Sequence, residues 1–178
     1  MKDGELMYKV NPYRPGAGTS PLYLAGREID ENEVNGIFEA LVNKVPVSSV
    51  IYSGLRGVGK TVLLNRFQRI AEEKSVFCKY IEVETRQDFI SQIVACSQAF
   101  LREVSSKEKI KNLLSKALDA LKTLVISFDV KNTTFTVSSQ ERELYTSTSL
   151  TQSLTDVFVY MGQTALEADT PICFFIDE

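Results

Sequence analysis

Apolar residues along the chain recur with two periods, and their order predicts alternating helices and short strands. A first helix is predicted from Asp30, where Glu33 completes a capping box, to about Lys44, and Pro46 ends it. This order is typical of an α/β domain built on a parallel sheet. Further helices are predicted at 62–71, 89–101, 110–121 and 154–165. Strand-like runs lie at 49–53 (SVIYS), 76–83 (VFCKYIEV) and 172–176 (ICFFI).

The strands differ in the burial that their composition predicts. The run 172–176 is wholly apolar, which favours a central strand covered on both faces, whereas the mixed pattern of 76–83 favours a place nearer a sheet edge. Two alternating runs, 124–130 and 134–138, flank a polar turn and predict a β-hairpin. Because this hairpin interrupts the order of helices and strands, we interpret it as an insertion at about 124–149.

Composition predicts one soluble domain and removes several kinds of chemistry. The 178 residues are 44% hydrophobic, which is enough for a single core. With 20 basic and 23 acidic residues, no overall charge favours nucleic acid or a membrane surface, and no apolar run reaches membrane-spanning length. The absence of histidine removes imidazole catalysis. Cys78, Cys96 and Cys173 lack CxxC spacing and are interpreted as buried thiols of a reducing compartment, which predicts a cytoplasmic protein.

Residues 54–61 carry the strongest chemical signal in the chain. GLRGVGKT matches the pattern GxxxxGKT and stands between a predicted strand and a predicted helix. In such a loop, backbone amides and the helix N-terminus face the phosphates, Lys60 reaches the β and γ oxygens, and Thr61 offers its hydroxyl to Mg²⁺. We therefore expect ATP or ADP to bind with Mg²⁺ at Gly54, Leu55, Arg56, Gly57, Val58, Gly59, Lys60, Thr61 and Val62.

The apolar run 172–176 ends in two acids, Asp177 and Glu178. Ligands of open α/β sheets bind at the carboxyl ends of the strands, so this pair is expected beside the loop. Asp177 is the expected metal residue, acting through the water shell of Mg²⁺. Glu178 is expected to orient and deprotonate the attacking water, which makes it a catalytic residue together with Lys60. A charged strand end is ordinary by itself, and the phosphate loop is what favours the metal role.

Two arginines leave alternatives open. Arg56 lies inside the loop, where it would contact phosphate or a partner subunit, although such positions are often only solvent-exposed. Arg27 precedes the first helix, where it would line an adenine pocket or form a charge pair at the helix start. The residues alone do not decide between these roles.

Three segments together with the acidic pair resemble a known family: the strap at 11–21 (NPYRPGAGTSP), the box LAGRE at 24–28 and the run SGLRGVGKTVLLNRF at 53–67. They resemble AAA-type ATPases of the additional-strand P-loop group, close to archaeal and origin-recognition-like ATPases and to uncharacterised bacterial ATP-binding proteins. The resemblance implies a three-layer α/β/α P-loop core. It places 1–47 as a strap and helix on the adenine side, and 48–178 as the first part of the ATPase domain. It also implies that residues 22–27, with Leu24 and Arg27, pack around adenine.

The resemblance covers only the first half of the family's ATPase domain. The sensor strand, the arginine finger and the helical lid would follow Glu178, so we expect a fragment that binds nucleotide but hydrolyses it poorly, with the missing C-terminal domains as partners. In the family, the next strand lies between the strands matching 49–53 and 172–176. Without that strand, 49–53 and 172–176 would each leave an edge with unpaired N–H and C=O groups. We therefore expect self-association through this edge, direct pairing of the two strands, or a longer natural chain.

The leading functional hypothesis is an ATP-hydrolysing switch or remodelling ATPase. A nucleotide or small-molecule kinase also uses GxxxxGKT, but Glu178 after Asp177 suits water activation better. A DNA-replication-initiator-like ATPase is the third hypothesis, although the charge balance of this half does not support a nucleic-acid surface.

Overall fold

A computed structural model of the protein describes residues 26–128 and 149–177. Within these ranges the chain is α/β, as predicted from the order of its apolar patterns. No helix in these ranges combines the length and the apolar character needed to span a bilayer. In chain order the elements are α1 (Glu28–Val42), α2 (Lys60–Glu73), β1 (Phe77–Glu82), α3 (Arg86–Val104), a 3-10 turn (Glu108–Ile110), α4 (Lys111–Ser127), α5 (Leu150–Ala168) and β2 (Ile172–Asp177).

The two strands form a parallel pair, as expected for an α/β domain with a parallel sheet. Phe77 lies opposite Ile172 at one end, and Glu82 lies opposite Asp177 at the other. Because parallel strands end at the same edge, the last side chains of β1 and β2 are delivered to one side of the domain.

The sheet separates two apolar clusters. On one face, α3, α4 and α5 close over Ile81, whose side chain is fully buried. On the other face, α1 and α2 pack around Phe175, and its ring centroid lies 6.3 Å from that of Phe38 in an edge-to-face arrangement. Successive side chains of a strand point to opposite faces, so these two short strands supply both clusters.

Helix α1 is fixed to α2 by apolar packing and two ion pairs. Val34 and Phe38 of α1 are buried in the same cluster as the inner face of α2. Arg66 donates to Glu31 at 3.1 Å, and Lys74 donates to Glu39 at 2.9 Å. Exposed pairs of this kind contribute little individually, so the apolar contact supplies most of the stabilisation. These contacts fix the position of α2, whose first turn is the end of the loop at 54–61.

The predicted helices and two of the three predicted strands are present. Helix α1 begins two residues before the predicted Asp30, and it ends at Val42 rather than near Lys44. Asp30 lies inside the first turn, where its carboxylate binds the Arg27 guanidinium at 3.0 Å. A carboxylate in the first turn is favoured by the positive end of the helix, and this replaces the predicted cap.

The predicted strand at 49–53 is wrong. The structure assigns no strand there, and Val50 and Ile51 are 43% and 91% exposed. A strand needs a neighbour for its N–H and C=O groups. In the described ranges the ladder of β2 is formed with β1. The expected direct pairing between 49–53 and the last strand is therefore wrong as well.

The first arm of the predicted hairpin is also wrong over 124–127, because α4 continues to Ser127. Leu124 and Val125 are buried, and with Ala117 and Leu121 they extend one helical face. The run therefore carries two overlapping patterns, and the helical pattern is the one that the structure adopts. The rest of the predicted hairpin, 129–148, lies outside the described residues.

The last strand is parallel as predicted, but it is not enclosed as a central strand in the described part of the chain. Phe175 is its one buried side chain, and Ile176 is 46% exposed. The physical reason is that β1 is its only ladder partner among the described residues. Self-association at this edge stays a prediction.

The three cysteines are free, but they are half-buried rather than buried. Cys78 and Cys173 lie opposite each other in the ladder. Burial raises the pKa of the Cys78 thiol to about 11 and that of Cys173 to about 12, and it also raises the pKa of Cys96. All three thiols are therefore protonated and weakly reactive at neutral pH.

The exposure of Ile51 predicts a small mutational effect. Ile51→Ser should change the free energy of unfolding by less than about 0.5 kcal/mol, because its side chain is already in water. The matched control is Ile81→Val in β1, which should cost about 1 kcal/mol because Ile81 is fully buried. Urea denaturation measures both. A loss of more than about 2 kcal/mol in the free energy of unfolding of Ile51→Ser would indicate that Ile51 is buried, and it would contradict the structure.

Candidate functional site

The phosphate loop, defined here as residues 54–61, joins an irregular stretch to α2. Gly57 and Gly59 both have φ of +86°, a left-handed conformation that disfavours residues with a Cβ. Gly59 is also the N-cap position of α2, which begins at Lys60 and has no acidic residue in its first turn. The free amides of that turn and the helix dipole create positive potential at the loop. This is the arrangement that binds phosphate groups at a helix N-terminus.

The side chain of Lys60 folds back over the loop. Its Nζ donates to the carbonyl oxygens of Gly54 at 2.9 Å and Leu55 at 3.2 Å. These contacts hold the ammonium group against the loop, and an exposed carbonyl is a weaker partner for it than an anion. A phosphate oxygen would form a charge-assisted bond with Lys60 in their place.

Thr61 and Asp177 meet although 116 residues separate them in the chain. The Thr61 hydroxyl, in the first turn of α2, donates to Asp177 Oδ2 at 2.7 Å, at the end of β2. The structure thus brings together the two residues that the sequence predicted as the metal site. A hydroxyl and a carboxylate are the hard oxygen donors that suit Mg²⁺.

The Thr61–Asp177 pair would not hold a metal ion alone. Among the described residues there is no group of three or more acidic, cysteine or histidine side chains that would form a metal site. Mg²⁺ is usually bound through one or two protein oxygens together with waters and substrate phosphates. The donor set therefore fits Mg²⁺ that arrives with a nucleotide.

Tyr80 is a member of this site that the sequence analysis missed. Its hydroxyl, on β1, donates to Asp177 Oδ2 at 2.5 Å, so the same oxygen accepts bonds from Tyr80 and Thr61. Burial raises the pKa of Tyr80, and the hydrogen bond to Asp177 and its charge raise it further, so the hydroxyl stays a donor at neutral pH. The alternation of β1 marks Tyr80 as a residue on one face, but the register against β2 is not readable from the sequence.

Arg27 contacts the loop from outside. Its guanidinium donates from one nitrogen to the Val58 carbonyl oxygen at 3.1 Å and from another to Asp30 at 3.0 Å. Of the two roles left open for Arg27, the structure shows the charge pair at the helix start, and it adds a contact with the loop. An adenine contact stays a prediction, and Leu24 lies outside the described residues.

The other predicted site residues differ in position. Arg56 is exposed at the tip of the loop, and Leu55 and Val58 expose 80% and 45% of their surface. Val62 is half-buried in the first turn of α2. Glu178 lies outside the described residues, so its catalytic role stays a prediction.

Acidic side chains surround the neighbouring end of β1. Glu82, Glu84 and Asp88 line a cavity of about 270 Å³ with Ser91 and Gln92. Carboxylates repel phosphate, so this cavity does not suit the phosphates of a nucleoside triphosphate. An anion at this edge of the sheet would therefore be bound by the loop at 54–61 and not by this cavity.

The Arg27 contact predicts a moderate effect on ATP binding. Arg27→Gln should weaken ATP binding about fivefold, roughly 1 kcal/mol, because the Val58 carbonyl loses a donor that orders the loop. Arg69→Gln, at an exposed position of α2, is the charge-matched control and should leave the affinity unchanged. Fluorescence titration with a labelled nucleotide measures both. Equal affinities for Arg27→Gln and the parent would show that the contact does not support binding.

Comparisons of the chain with protein-family models, with curated proteins and with solved structures found no match. The features that indicate a function are therefore the sequence of the loop at 54–61 and the contacts of Asp177.

Proposed function

We propose that this chain binds ATP or ADP together with Mg²⁺ and forms the nucleotide-binding part of an AAA-type P-loop ATPase. The observation that carries the proposal is the 2.7 Å hydrogen bond between Thr61 and Asp177. A strand end and a helix start that are distant in sequence meet beside a GxxxxGKT loop with two left-handed glycines. A chance match to the loop pattern would not require its threonine to contact an acidic strand end.

Each part of the site has a role in this proposal. The amides at the start of α2 and the Lys60 ammonium bind the β and γ phosphates. Thr61 and Asp177 would hold Mg²⁺, Thr61 through its hydroxyl and Asp177 through the water shell. When bound, Mg²⁺ supplies positive charge that neutralises phosphate oxygens. Arg27 keeps the loop in place through the Val58 carbonyl.

A three-layer P-loop core is the architecture that best accommodates these features. The parallel pairing of β1 and β2 supports it, as do apolar helices on both faces of the sheet. The absence of a strand at 49–53 departs from such a core within the described residues.

Hydrolysis is proposed as the reaction at this site. Glu178 would orient and deprotonate water, and an arginine from outside the described residues would neutralise the charge that develops on the γ-phosphate. Nucleotide state would then act as a conformational switch in a cytoplasmic protein.

Calorimetry on the purified chain tests the binding proposal. ATP titrated in Mg²⁺ buffer should bind with one site per chain, and ATP titrated in EDTA should bind more weakly. A folded sample that binds neither ATP nor ADP in Mg²⁺ buffer would overturn the proposed function.

A further inference from the structure

The carboxylate of Asp177 is held by two hydroxyl groups from two different elements. Thr61 of α2 and Tyr80 of β1 both donate to Oδ2, at 2.7 Å and 2.5 Å. The two donors reach the oxygen from the helix and from the neighbouring strand, so together they restrict how the carboxylate turns about its own side-chain bonds. A short hydrogen bond to an ionised acceptor is stronger than one between neutral groups.

The parallel ladder explains how Tyr80 reaches this position. Tyr80 lies opposite Phe175, and Glu82 lies opposite Asp177, so Tyr80 and Asp177 form a diagonal pair two positions apart. Long aromatic side chains span this diagonal distance between neighbouring strands. The Tyr80 side chain also packs against the apolar cluster beneath α2, together with Cys78 and Cys173. Its hydroxyl is therefore presented to Asp177 by a ring whose own position is fixed by packing.

We propose that Tyr80 is a positioning residue for Mg²⁺: it holds the Asp177 carboxylate in the orientation in which Asp177 and Thr61 receive the metal of a bound nucleotide. This inference rests on the proposed function, since it assigns a role within the same site. The role is distinct from that of the phosphate loop, because Tyr80 contacts Asp177 and belongs to neither the loop nor α2. Groups that orient a metal ligand typically contribute about 10-fold to 100-fold in metal affinity.

Tyr80→Phe should change the Mg²⁺ dependence of ATP binding and leave phosphate binding unchanged. In Tyr80→Phe the ring remains, so the packing beneath α2 and the phosphate loop should be retained. ATP affinity measured in EDTA should therefore equal that of the parent. The Mg²⁺ concentration that gives half of the metal-dependent gain in ATP affinity should rise about 10-fold. A purely structural role would instead weaken ATP binding equally with and without Mg²⁺.

A matched tyrosine and a double variant complete the experiment. Tyr160→Phe, on α5, removes a hydroxyl outside the site and should leave the Mg²⁺ requirement unchanged. In the Asp177→Asn background, Tyr80→Phe should add less than twofold, because the carboxylate that it orients has already been removed. This non-additivity is measurable even if Tyr80→Phe lowers the stability of the protein.

The outcomes distinguish this inference from the proposed function. If the parent binds ATP with a clear Mg²⁺ dependence and Tyr80→Phe requires the same Mg²⁺ concentration within twofold, the role of Tyr80 is overturned and the proposed function stands. Effects of Tyr80→Phe and Asp177→Asn that simply add would overturn it as well. If the parent shows no Mg²⁺-dependent ATP binding, the proposed function fails, and the role of Tyr80 fails with it.

Discussion

Lys60→Ala is expected to weaken ATP binding about 100-fold, roughly 3 kcal/mol, while the protein stays folded. The Lys60 ammonium lies over the loop, where it is held by the carbonyls of Gly54 and Leu55. In the nucleotide complex those contacts would give way to charge-assisted bonds with phosphate, so alanine removes a positive charge from the centre of the site. The side chain does not belong to either apolar cluster, which is why stability should change little.

Two variants make the Lys60 experiment specific. Lys116→Ala, at an exposed position of α4, also removes one positive charge and should bind ATP like the parent. Lys60→Arg keeps the charge but not the compact ammonium group, and it should recover only part of the affinity. Calorimetry gives the affinities, and circular dichroism checks the fold. Unchanged affinity in folded Lys60→Ala would mean that the loop does not bind the β and γ phosphates.

Asp177→Asn is expected to remove most of the gain in ATP affinity that Mg²⁺ provides, a loss of about 30-fold, or roughly 2 kcal/mol. The amide keeps the size of the carboxylate but loses the negative charge that attracts Mg²⁺ and its water shell. ATP affinity in EDTA should stay within about twofold of the parent. Any change in EDTA should be a slight gain in affinity, since a carboxylate beside the phosphates repels them.

The control for Asp177 is another aspartate that loses the same charge. Asp169→Asn, whose partner is Lys44 at 3.0 Å, removes a negative charge from the surface and should leave the Mg²⁺ dependence intact. Titration of Mg²⁺ at fixed ATP separates the two variants. A folded Asp177→Asn with the Mg²⁺ dependence of the parent would remove Asp177 from the metal site.

Helices were predictable from the sequence because their signal is local. The apolar faces of α2, α3 and α5 repeat over several turns, and each is buried in one of the two clusters. Boundaries were less accurate because they depend on contacts outside the periodic run. The ion pair between Arg27 and Asp30, for example, places Asp30 inside α1 rather than at its cap.

Strands were harder to predict because a strand depends on its neighbours. The run at 49–53 has a β-type composition, yet it forms no strand among the described residues and leaves Ile51 in water. The run at 124–127 was ambiguous between an alternating and a helical pattern. The helix is favoured because Leu124 and Val125 are buried in the apolar cluster on the face of the sheet that α3, α4 and α5 cover. Sequence patterns of four or five residues do not resolve such cases.

The candidate site was predictable in its motif but not in its contacts. The GxxxxGKT pattern identifies Lys60 and Thr61 directly, and the apolar run identifies Asp177 as a strand end. Tyr80 was missed because its contact with Asp177 depends on the register between β1 and β2. In that register Tyr80 lies opposite Phe175 and reaches Asp177 diagonally, two positions further along β2. Arg27 was noticed, but its contact with the Val58 carbonyl requires the folded loop.

Paramagnetic NMR tests the central claim, that Thr61 and Asp177 hold the metal of a bound nucleotide, most directly. At 19.9 kDa the chain suits threonine methyl labelling, and Thr61→Ser, which keeps the hydroxyl but lacks the methyl group, assigns the Thr61 signal. When Mn²⁺ replaces Mg²⁺ in the ATP complex, the Thr61 methyl signal should broaden more than those of described threonines far from the site, such as Thr123 on α4. A Thr61 signal that stays sharp at saturating Mn²⁺ and ATP would contradict the account.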